Sequence, residues 1–239
     1  MSRLVALDNK VHRHLRVAPE KIEAQGARLH MVPVVLSEFL KLCVQYPIVL
    51  TKKADTGRFV CVCLFGFEKN ENLFWRNGRW DAIYTPLQIA RQPFFVGAGE
   101  TPQEQGQFVL CIDTENDSLQ EQAGELLFDE QGNETPYLQR AKSLLAALLT
   151  GEADTERFTE KLLALNLVQP MRLEIEYANR QSQRVAGLYT VDEQRLKSLS
   201  PEQLIELHSL QYLAPLYTML ASLGHVYSLI HRKNALLAD

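Results

Sequence analysis

The chain has 239 residues, of which 46% are hydrophobic and 23% are charged, and its net charge is −4. These values are typical of a soluble globular protein with one large domain or two packed halves. Nucleic-acid binding needs a cluster of basic residues, and the sequence has none, so we expect no nucleic-acid partner.

The sequence has no run of roughly 20 apolar residues such as a membrane helix needs, and its first ten residues reach a charge before any apolar run of signal-peptide length. We therefore expect no membrane insertion and a cytoplasmic location. Cys61 and Cys63 are too close for an ordinary disulfide along an extended strand, which favours reduced thiols.

The first 30 residues are polar and mixed in character, and they predict an extended arm or a short strand. Residues 34–45 carry apolar side chains at helical spacing, which predicts a helix. Pro33 suits the first turn of that helix, and Pro47 ends it because proline cannot continue a helical hydrogen-bond pattern.

Two hairpins should follow this helix. Residues 47–51 and 58–67 flank a turn-rich link, and Asn77-Gly78 is a strong turn signal within residues 70–80. The shorter elements expected next are a helical turn at 86–91, a loop at 97–106, and strands at 108–112 and 126–128.

A helix start is indicated at Thr135 and Pro136, which suit the N-cap and the first helical position. We predict that this helix runs to about residue 149 and ends at Gly151, because glycine favours helix ends. A separate helix is then expected over residues 154–166.

The remaining sequence predicts one hairpin and two helices. Apolar residues alternate over residues 171–177, which pair with residues 185–191 in a hairpin that has one buried face. A short helix is expected over residues 192–199. Ser200-Pro-Glu-Gln203 is a capping-box signature for the last helix, which Pro215 should kink or split.

These elements predict an α+β fold in which mainly antiparallel strands from both halves pack with three to five helices. The alternation of strands and helices is too irregular for a doubly wound parallel sheet. We expect a single domain over residues 1–239. The alternative subdivision is a strand-rich part at 1–150 and a helix–hairpin–helix part at 151–239.

The segment from residue 80 to residue 94 is the most distinctive part of the sequence. It combines three aromatic residues with an arginine, and this combination suits binding of a peptide or a flat ligand. The alternative is an irregular core lid, in which Pro86 and Pro93 fix the backbone and the rings fill space. The candidate binding residues are Trp80, Tyr84, Arg91 and Phe94.

A second candidate site lies in the polar arm. On a strand, His12, His14 and Arg16 would share one face, and two imidazoles with a guanidinium suit a carboxylate or a phosphate. A metal is the other ligand considered for this group. The alternative to a site is a solvated arm.

Glu38 lies in the middle of the first predicted helix, beside its apolar stripe. If it is buried it needs a cationic partner, and Arg91 is our candidate. The alternative is a carboxylate at the solvated edge of the stripe. Cys61 and Cys63 share one strand face and could bind a soft metal with Cys43 and Cys111, but burial of free thiols is the favoured interpretation.

The sequence carries no nucleophile elbow, phosphate loop, dinucleotide fingerprint or His-Glu-x-x-His helix, so we assign no catalytic residue, no metal and no cofactor. It resembles the SapC family, which is named from bacterial surface-layer loci. The resemblance covers nearly the whole chain, through Gly187, Val191-Asp-Glu193 and the following motifs: His12-Arg-His-Leu-Arg-Val17, Tyr46-Pro-Ile-Val49, Asn70-Glu-Asn-Leu-Phe74, Trp80, Tyr84-x-Pro86, Arg91-x-Pro93-Phe94, Cys111-Ile-Asp113 and Leu127-Phe-Asp-Glu-Gln-Gly132.

The resemblance implies an accessory or modification role, because relatives occur beside genes for halogenase-like and cupin-like oxygenase proteins. Our leading hypothesis is a non-enzymatic binding or accessory protein that recognises a peptide or protein partner through residues 80–94. The alternatives are an enzyme or metal-binding protein that uses His12, His14 and Glu38, and a surface-layer-associated protein. The sequence does not determine the oligomeric state.

Overall fold

The computed structural model describes residues 3–98 and 108–238 and confirms an α+β fold whose paired strands are antiparallel. The strands are β1 (Leu4–Ala6), β2 (Arg16–Val17), β3 (Met31–Pro33), β4 (Ile48–Lys52), β5 (Phe59–Leu64), β6 (Trp75–Arg76), β7 (Arg79–Trp80), β8 (Phe94–Ala98), β9 (Phe108–Asp113), β10 (Leu119–Gln120), β11 (Glu125–Leu126), β12 (Val168–Glu176) and β13 (Ser182–Val191). The α-helices are α1 (Phe39–Leu42), α2 (Leu87–Ala90), α3 (Pro136–Ala164), α4 (Glu193–Lys197), α5 (Pro201–Ser209), α6 (Leu213–Ser222) and α7 (His225–Ala238).

The chain forms two compact units, and each is built from separate stretches of sequence. Unit 1 contains Met1–Ala27, Asn77–Trp80 and Leu87–Thr150, and unit 2 contains Arg28–Arg76, Asp81–Pro86 and Gly151–Asp239. The units therefore do not follow a division at residue 150, because residues 28–76 belong with the C-terminal part. The distinctive segment contributes residues to both units.

Unit 2 is organised around a five-stranded antiparallel sheet with the order β12-β13-β4-β5-β3. The predicted hairpin of β4 and β5 is confirmed, with Ile48 opposite Cys63 and Lys52 opposite Phe59. The hairpin of β12 and β13 is also confirmed and contains a bulge near Met171. Sheet strands from both halves of the sequence thus meet in this unit.

Aromatic side chains fill the core of unit 2. The ring of Tyr46 lies 4.6 Å from that of Phe74 and 5.4 Å from that of Phe65. A second group centres on Phe158, whose ring packs edge-on against Phe39 and Tyr212. Edge-on and tilted contacts of this kind are the favoured arrangement because they bring a positive ring edge to a negative face.

Unit 1 has two small antiparallel sheets, ordered β1-β9-β8 and β10-β2-β11. Its core contains Val17 from β2, Phe94 from β8 and Ile112 from β9, with Leu127, Phe128, Leu138 and Leu145. The arm is therefore tied down by β1 and β2 instead of being a solvated extension. The loop predicted at residues 97–106 begins inside β8, and residues 99–106 of that loop lie outside the described part of the chain.

The predicted end of a helix at Gly151 is wrong, because α3 continues through it to Ala164. A Cβ atom on Gly151 would lie 2.8 Å from the Cβ of Val35, so glycine is required here by a close approach and not by a helix end. Thr155 donates its hydroxyl to the Gly151 carbonyl and accepts the backbone N–H of Leu36, which holds this contact.

Two helices of unit 2 are shorter than predicted, namely the one within residues 34–45 and the one that follows Ser200. Residues 34–45 contain a 3-10 turn, Leu36–Glu38, followed by the single-turn helix α1. The capping box at Ser200 is confirmed, but the helix ends before Pro215, with Gln211 at a φ of +59°. Pro215 then lies in the first turn of α6, where its missing N–H costs nothing. These interruptions leave seven α-helices among the described residues, where three to five were predicted.

Candidate functional site

Two aromatic residues of the distinctive segment, residues 80–94, are core residues. Trp80 and Phe94 are buried in unit 1, and the Trp80 ring lies so close to Gly26 that a Cβ atom there would be 2.6 Å from it. Phe94 packs with Val17 and Ile112 in the core of the same unit. Burial favours the packing interpretation for these two residues, and their role in binding stays a prediction.

Arg91 is half-buried, and its guanidinium is held by neighbours in the same segment. Its Nε donates to the side-chain oxygen of Gln88 at 2.7 Å, and its Nη1 donates to the carbonyl of Phe94 at 2.8 Å. The guanidinium also lies 4.0 Å from the ring centre of Phe95, a cation–π distance. The peptide bond before Pro93 is cis.

Tyr84 and Glu38 meet in unit 2. Glu38 is buried, and its carboxylate accepts the Tyr84 hydroxyl at 3.1 Å and the backbone N–H of Val35 at 3.3 Å. Burial and the negative charge of Glu38 raise the pKa of Tyr84 well above its usual value. Glu38 is therefore a core carboxylate and not an exposed helix position. It belongs to a different unit from Arg91, and the pairing of these two residues stays a prediction.

The backbone beside Tyr84 is anchored to unit 2 by two further hydrogen bonds. Tyr46 donates its hydroxyl to the Tyr84 carbonyl at 2.6 Å, and the Ile83 N–H donates to the side chain of Gln45. Lys41 on α1 lies 5.4 Å from the centre of the Tyr84 ring. Residues 81–86 thus run along α1 and the turn that follows it.

Around this anchor, several large apolar side chains face solvent. Ile83 is 83% exposed, Leu40 on α1 is 72% exposed, and Val44 is also exposed. The start of α7 lies beside the same turn, since His225 Nε2 lies 2.8 Å from the carbonyl oxygen of Cys43. We call Leu40, Val44 and Ile83 the apolar surface. The sequence predictions missed Leu40 in α1 and Val44 in the turn that follows it.

The N-terminal arm forms a pocket in unit 1. The arm contains short strands, but His12 and His14 lie in the turns between them and not on one strand with Arg16. Asp8 turns the chain there by accepting the backbone N–H groups of Lys10 and His12. The pocket has a volume of about 560 Å³, and its polar lining residues are Arg3, His12, His14, Thr114, Gln120 and Glu121. We call it the arm pocket.

His12 and His14 both line the arm pocket, with Arg3 and without Arg16, and their role in binding stays a prediction. The Arg16 guanidinium donates to the carbonyl of Gly124 and is not a lining residue. Arg3 was missed because its position depends on β1 pairing with β9, which places its backbone against Asp113 and Thr114. The exposed side chains of His14 and Glu121 lie 3.4 Å apart.

The SapC family model matches residues 7–229, which is nearly the whole chain. The chain belongs to the SapC family. No curated protein and no solved structure matches this SapC family chain. The match includes every motif on which the predicted resemblance rested, and that prediction is confirmed.

In this SapC family chain, Cys61 and Cys63 are core thiols. Both are fully buried, and burial raises the pKa of Cys61 to about 12. Burial and the charge of Glu38 raise the pKa of Cys63 as well. Within residues 3–98 and 108–238, no group of three or more His, Cys, Asp or Glu side chains is placed to hold a metal ion.

The C-terminal stretch Leu213–Ala238 of the SapC family chain is long and apolar enough to cross a membrane by length and composition alone, with a mean hydropathy of 1.3. It is divided by the short link between α6 and α7. A core helix of a soluble protein meets the same criterion. The expected absence of membrane insertion therefore stays a prediction.

Proposed function

We propose that this SapC family chain is a non-enzymatic binding protein that recognises a peptide or protein partner through the apolar surface of unit 2. The observation that carries the proposal is the grouping of exposed Leu40, Val44 and Ile83 around the end of α1. Contiguous exposed apolar side chains mark interaction sites, because leaving them in water is costly and covering them is favourable.

The surface is built on rigid support, which favours binding. The backbone of residues 83 and 84 is held by Gln45 and Tyr46, and the ring of Tyr84 is held by its hydrogen bond to Glu38. A surface that is already ordered loses little conformational entropy when a partner docks. Exposed Ile83 can therefore contribute most of its burial free energy to association.

The proposal also gives the distinctive segment a divided role. Trp80 and Phe94 pack in unit 1, while Ile83 and Tyr84 present side chains beside Lys41 in unit 2. Lys41 adds a positive charge next to an aromatic ring at the surface. A partner with apolar side chains and a nearby carboxylate would complement both features.

The test uses charge substitutions at the most exposed positions. Leu40→Asp and Ile83→Asp place a carboxylate on the apolar surface without removing a core side chain. Ile205→Asp is the matched control, because Ile205 on α5 is 66% exposed and is not part of this surface. All three proteins should fold as the parent does, which circular dichroism and urea unfolding will check.

Each protein is immobilised and used to capture partners from an extract of the source cells, and captured proteins are quantified by mass spectrometry. A purified candidate is then titrated against each variant. We expect the parent and Ile205→Asp to bind alike and the two surface variants to bind at least about tenfold more weakly, a loss of about 1.4 kcal/mol. Equal binding by all four proteins, or no captured partner at all, would contradict the proposal.

A further inference from the structure

The arm pocket holds a buried histidine with one ring nitrogen to spare. His12 is only 7% exposed, and its Nδ1 lies 3.0 Å from the backbone nitrogen of Asp8. Nδ1 also lies 3.2 Å from the Asp8 carbonyl oxygen, so this ring nitrogen faces the backbone of Asp8 in either tautomer. A backbone N–H can only donate, and a ring that accepts it at Nδ1 carries a proton on Nε2. Among the described residues, Nε2 has no hydrogen-bond partner.

His12 lines the arm pocket, and its Nε2 is not fully enclosed. Thr190 Oγ1 is the single fully buried side-chain nitrogen or oxygen without a partner in residues 3–98 and 108–238. Nε2 of His12 also has no partner there, so it cannot be fully buried and must keep some solvent access. A half-desolvated donor of this kind gains free energy when an acceptor reaches it.

A cation lies in the same pocket. The guanidinium of Arg3 has no hydrogen-bond or ion-pair partner in the described part of the chain, while its backbone is fixed by Asp113 and Thr114. The one carboxylate in the lining, Glu121, is already opposed by His14 at 3.4 Å. The lining thus offers an imidazole N–H, a guanidinium and the Gln120 amide as donors to a ligand, and the guanidinium favours an anion.

Thr114 and Gln120 add polar groups to the lining, and four apolar residues, Val5, Val11, Leu15 and Leu119, complete it. A phosphate ion would leave these side chains without a partner, whereas a carboxylate that carries an apolar group would cover them. The volume of about 560 Å³ lies in the range of small-ligand sites, roughly 300–1,000 Å³. We propose that the arm pocket binds a carboxylate attached to an apolar group, with His12 Nε2 and Arg3 as donors.

Two sources supply this chemistry, namely a free aliphatic acid and the C-terminal carboxylate of a peptide that ends in an apolar residue. The experiment therefore titrates the full chain with octanoate, with a short peptide that ends in leucine, and with the amides of both, using calorimetry. Inorganic phosphate is titrated as a further probe. We expect one or both carboxylates to bind and both amides to bind at least about tenfold more weakly, as loss of a charged acceptor predicts.

The variants separate binding from folding. His12→Asn keeps an oxygen that can accept the Asp8 N–H but removes the donor at Nε2, and Arg3→Gln changes an exposed side chain. Arg13→Gln is the matched control, because Arg13 donates to the Asp129 carbonyl and does not line the pocket. Carboxylate affinity should fall about tenfold or more in the first two variants and stay unchanged in the control.

Several results would overturn this proposal. They are equal binding of acid and amide, phosphate binding as tight as carboxylate binding, no binding by either carboxylate, or equal losses in all three variants. If His12→Asn fails to fold, Arg3→Gln decides the outcome alone. The proposal concerns unit 1 and is independent of the partner surface in unit 2, so either can fail while the other stands.

Discussion

Replacing Gly151 with alanine tests why α3 runs through a position where the sequence predicts a helix end. On propensity alone, the substitution should stabilise a helix interior by about 1 kcal/mol, since glycine loses more backbone entropy than alanine. The new Cβ atom, however, would lie 2.8 Å from the Cβ of Val35 and 2.9 Å from its Cγ2. The two effects have opposite signs, so their magnitudes decide the outcome.

Carbon atoms prefer a separation of about 3.5–4.0 Å, so the helix and Val35 would have to move apart by close to 1 Å. Val35 is buried, and its Cβ cannot rotate away from the contact. Forcing an extra methyl group into a packed core costs roughly 1–3 kcal/mol. We therefore expect Gly151→Ala to lower the free energy of unfolding by about 1 kcal/mol after the propensity gain is subtracted.

Urea unfolding followed by circular dichroism measures this change. Gly224→Ala is the matched control, because its Cβ would meet only the Ala221 carbonyl at 3.6 Å, an ordinary contact. In a Val35→Ala background, Gly151→Ala should cost less by about 0.5–1 kcal/mol, because part of the overlap is removed. A stabilised Gly151→Ala protein, or one that matches Gly224→Ala, would refute the reasoning.

Three further predictions concern the buried carboxylate and the core thiols. Tyr84→Phe removes the hydroxyl that donates to Glu38 and should lower the free energy of unfolding by about 1–2 kcal/mol in urea titrations; no change would contradict the pairing. Cys61 and Cys63 should resist a thiol reagent in the folded protein near neutral pH and react after unfolding, and rapid labelling in the folded state would contradict their burial. Because folding raises the pKa of Cys61 from 9.0 to about 12, its contribution to stability is present below pH 9.0 and is lost as the pH rises toward 12.

Local sequence patterns were sufficient to predict turns, helix starts and a hairpin, because these elements depend on a few neighbouring residues. Asn77-Gly78 predicts a turn, and both residues have positive φ in the structure, because small or flexible residues tolerate that conformation. Thr135 and Ser200 predict helix starts, and both side chains accept backbone N–H groups there. The hairpin of β4 and β5 follows in the same way from alternating strands and a short turn.

The candidate sites depended on contacts that no local pattern encodes. Arg3 reaches the arm pocket because β1 pairs with β9, more than a hundred residues away in sequence. Ile83 is exposed in unit 2, whereas Trp80, three residues earlier in the sequence, is buried in unit 1. Neither feature can be recognised from the composition or the periodicity of the surrounding sequence.

The sequence by itself determined the family, the α+β class, the hairpins and the helix caps, because turn chemistry and periodicity act over a few residues. Only the tertiary structure decided that Gly151 serves a close contact with Val35, that Glu38 is buried against Tyr84, and that the arm folds into a pocket. These features arise where distant segments meet. The free energy that selects them comes from packing and desolvation, which depend on the neighbours in space and not on those in sequence.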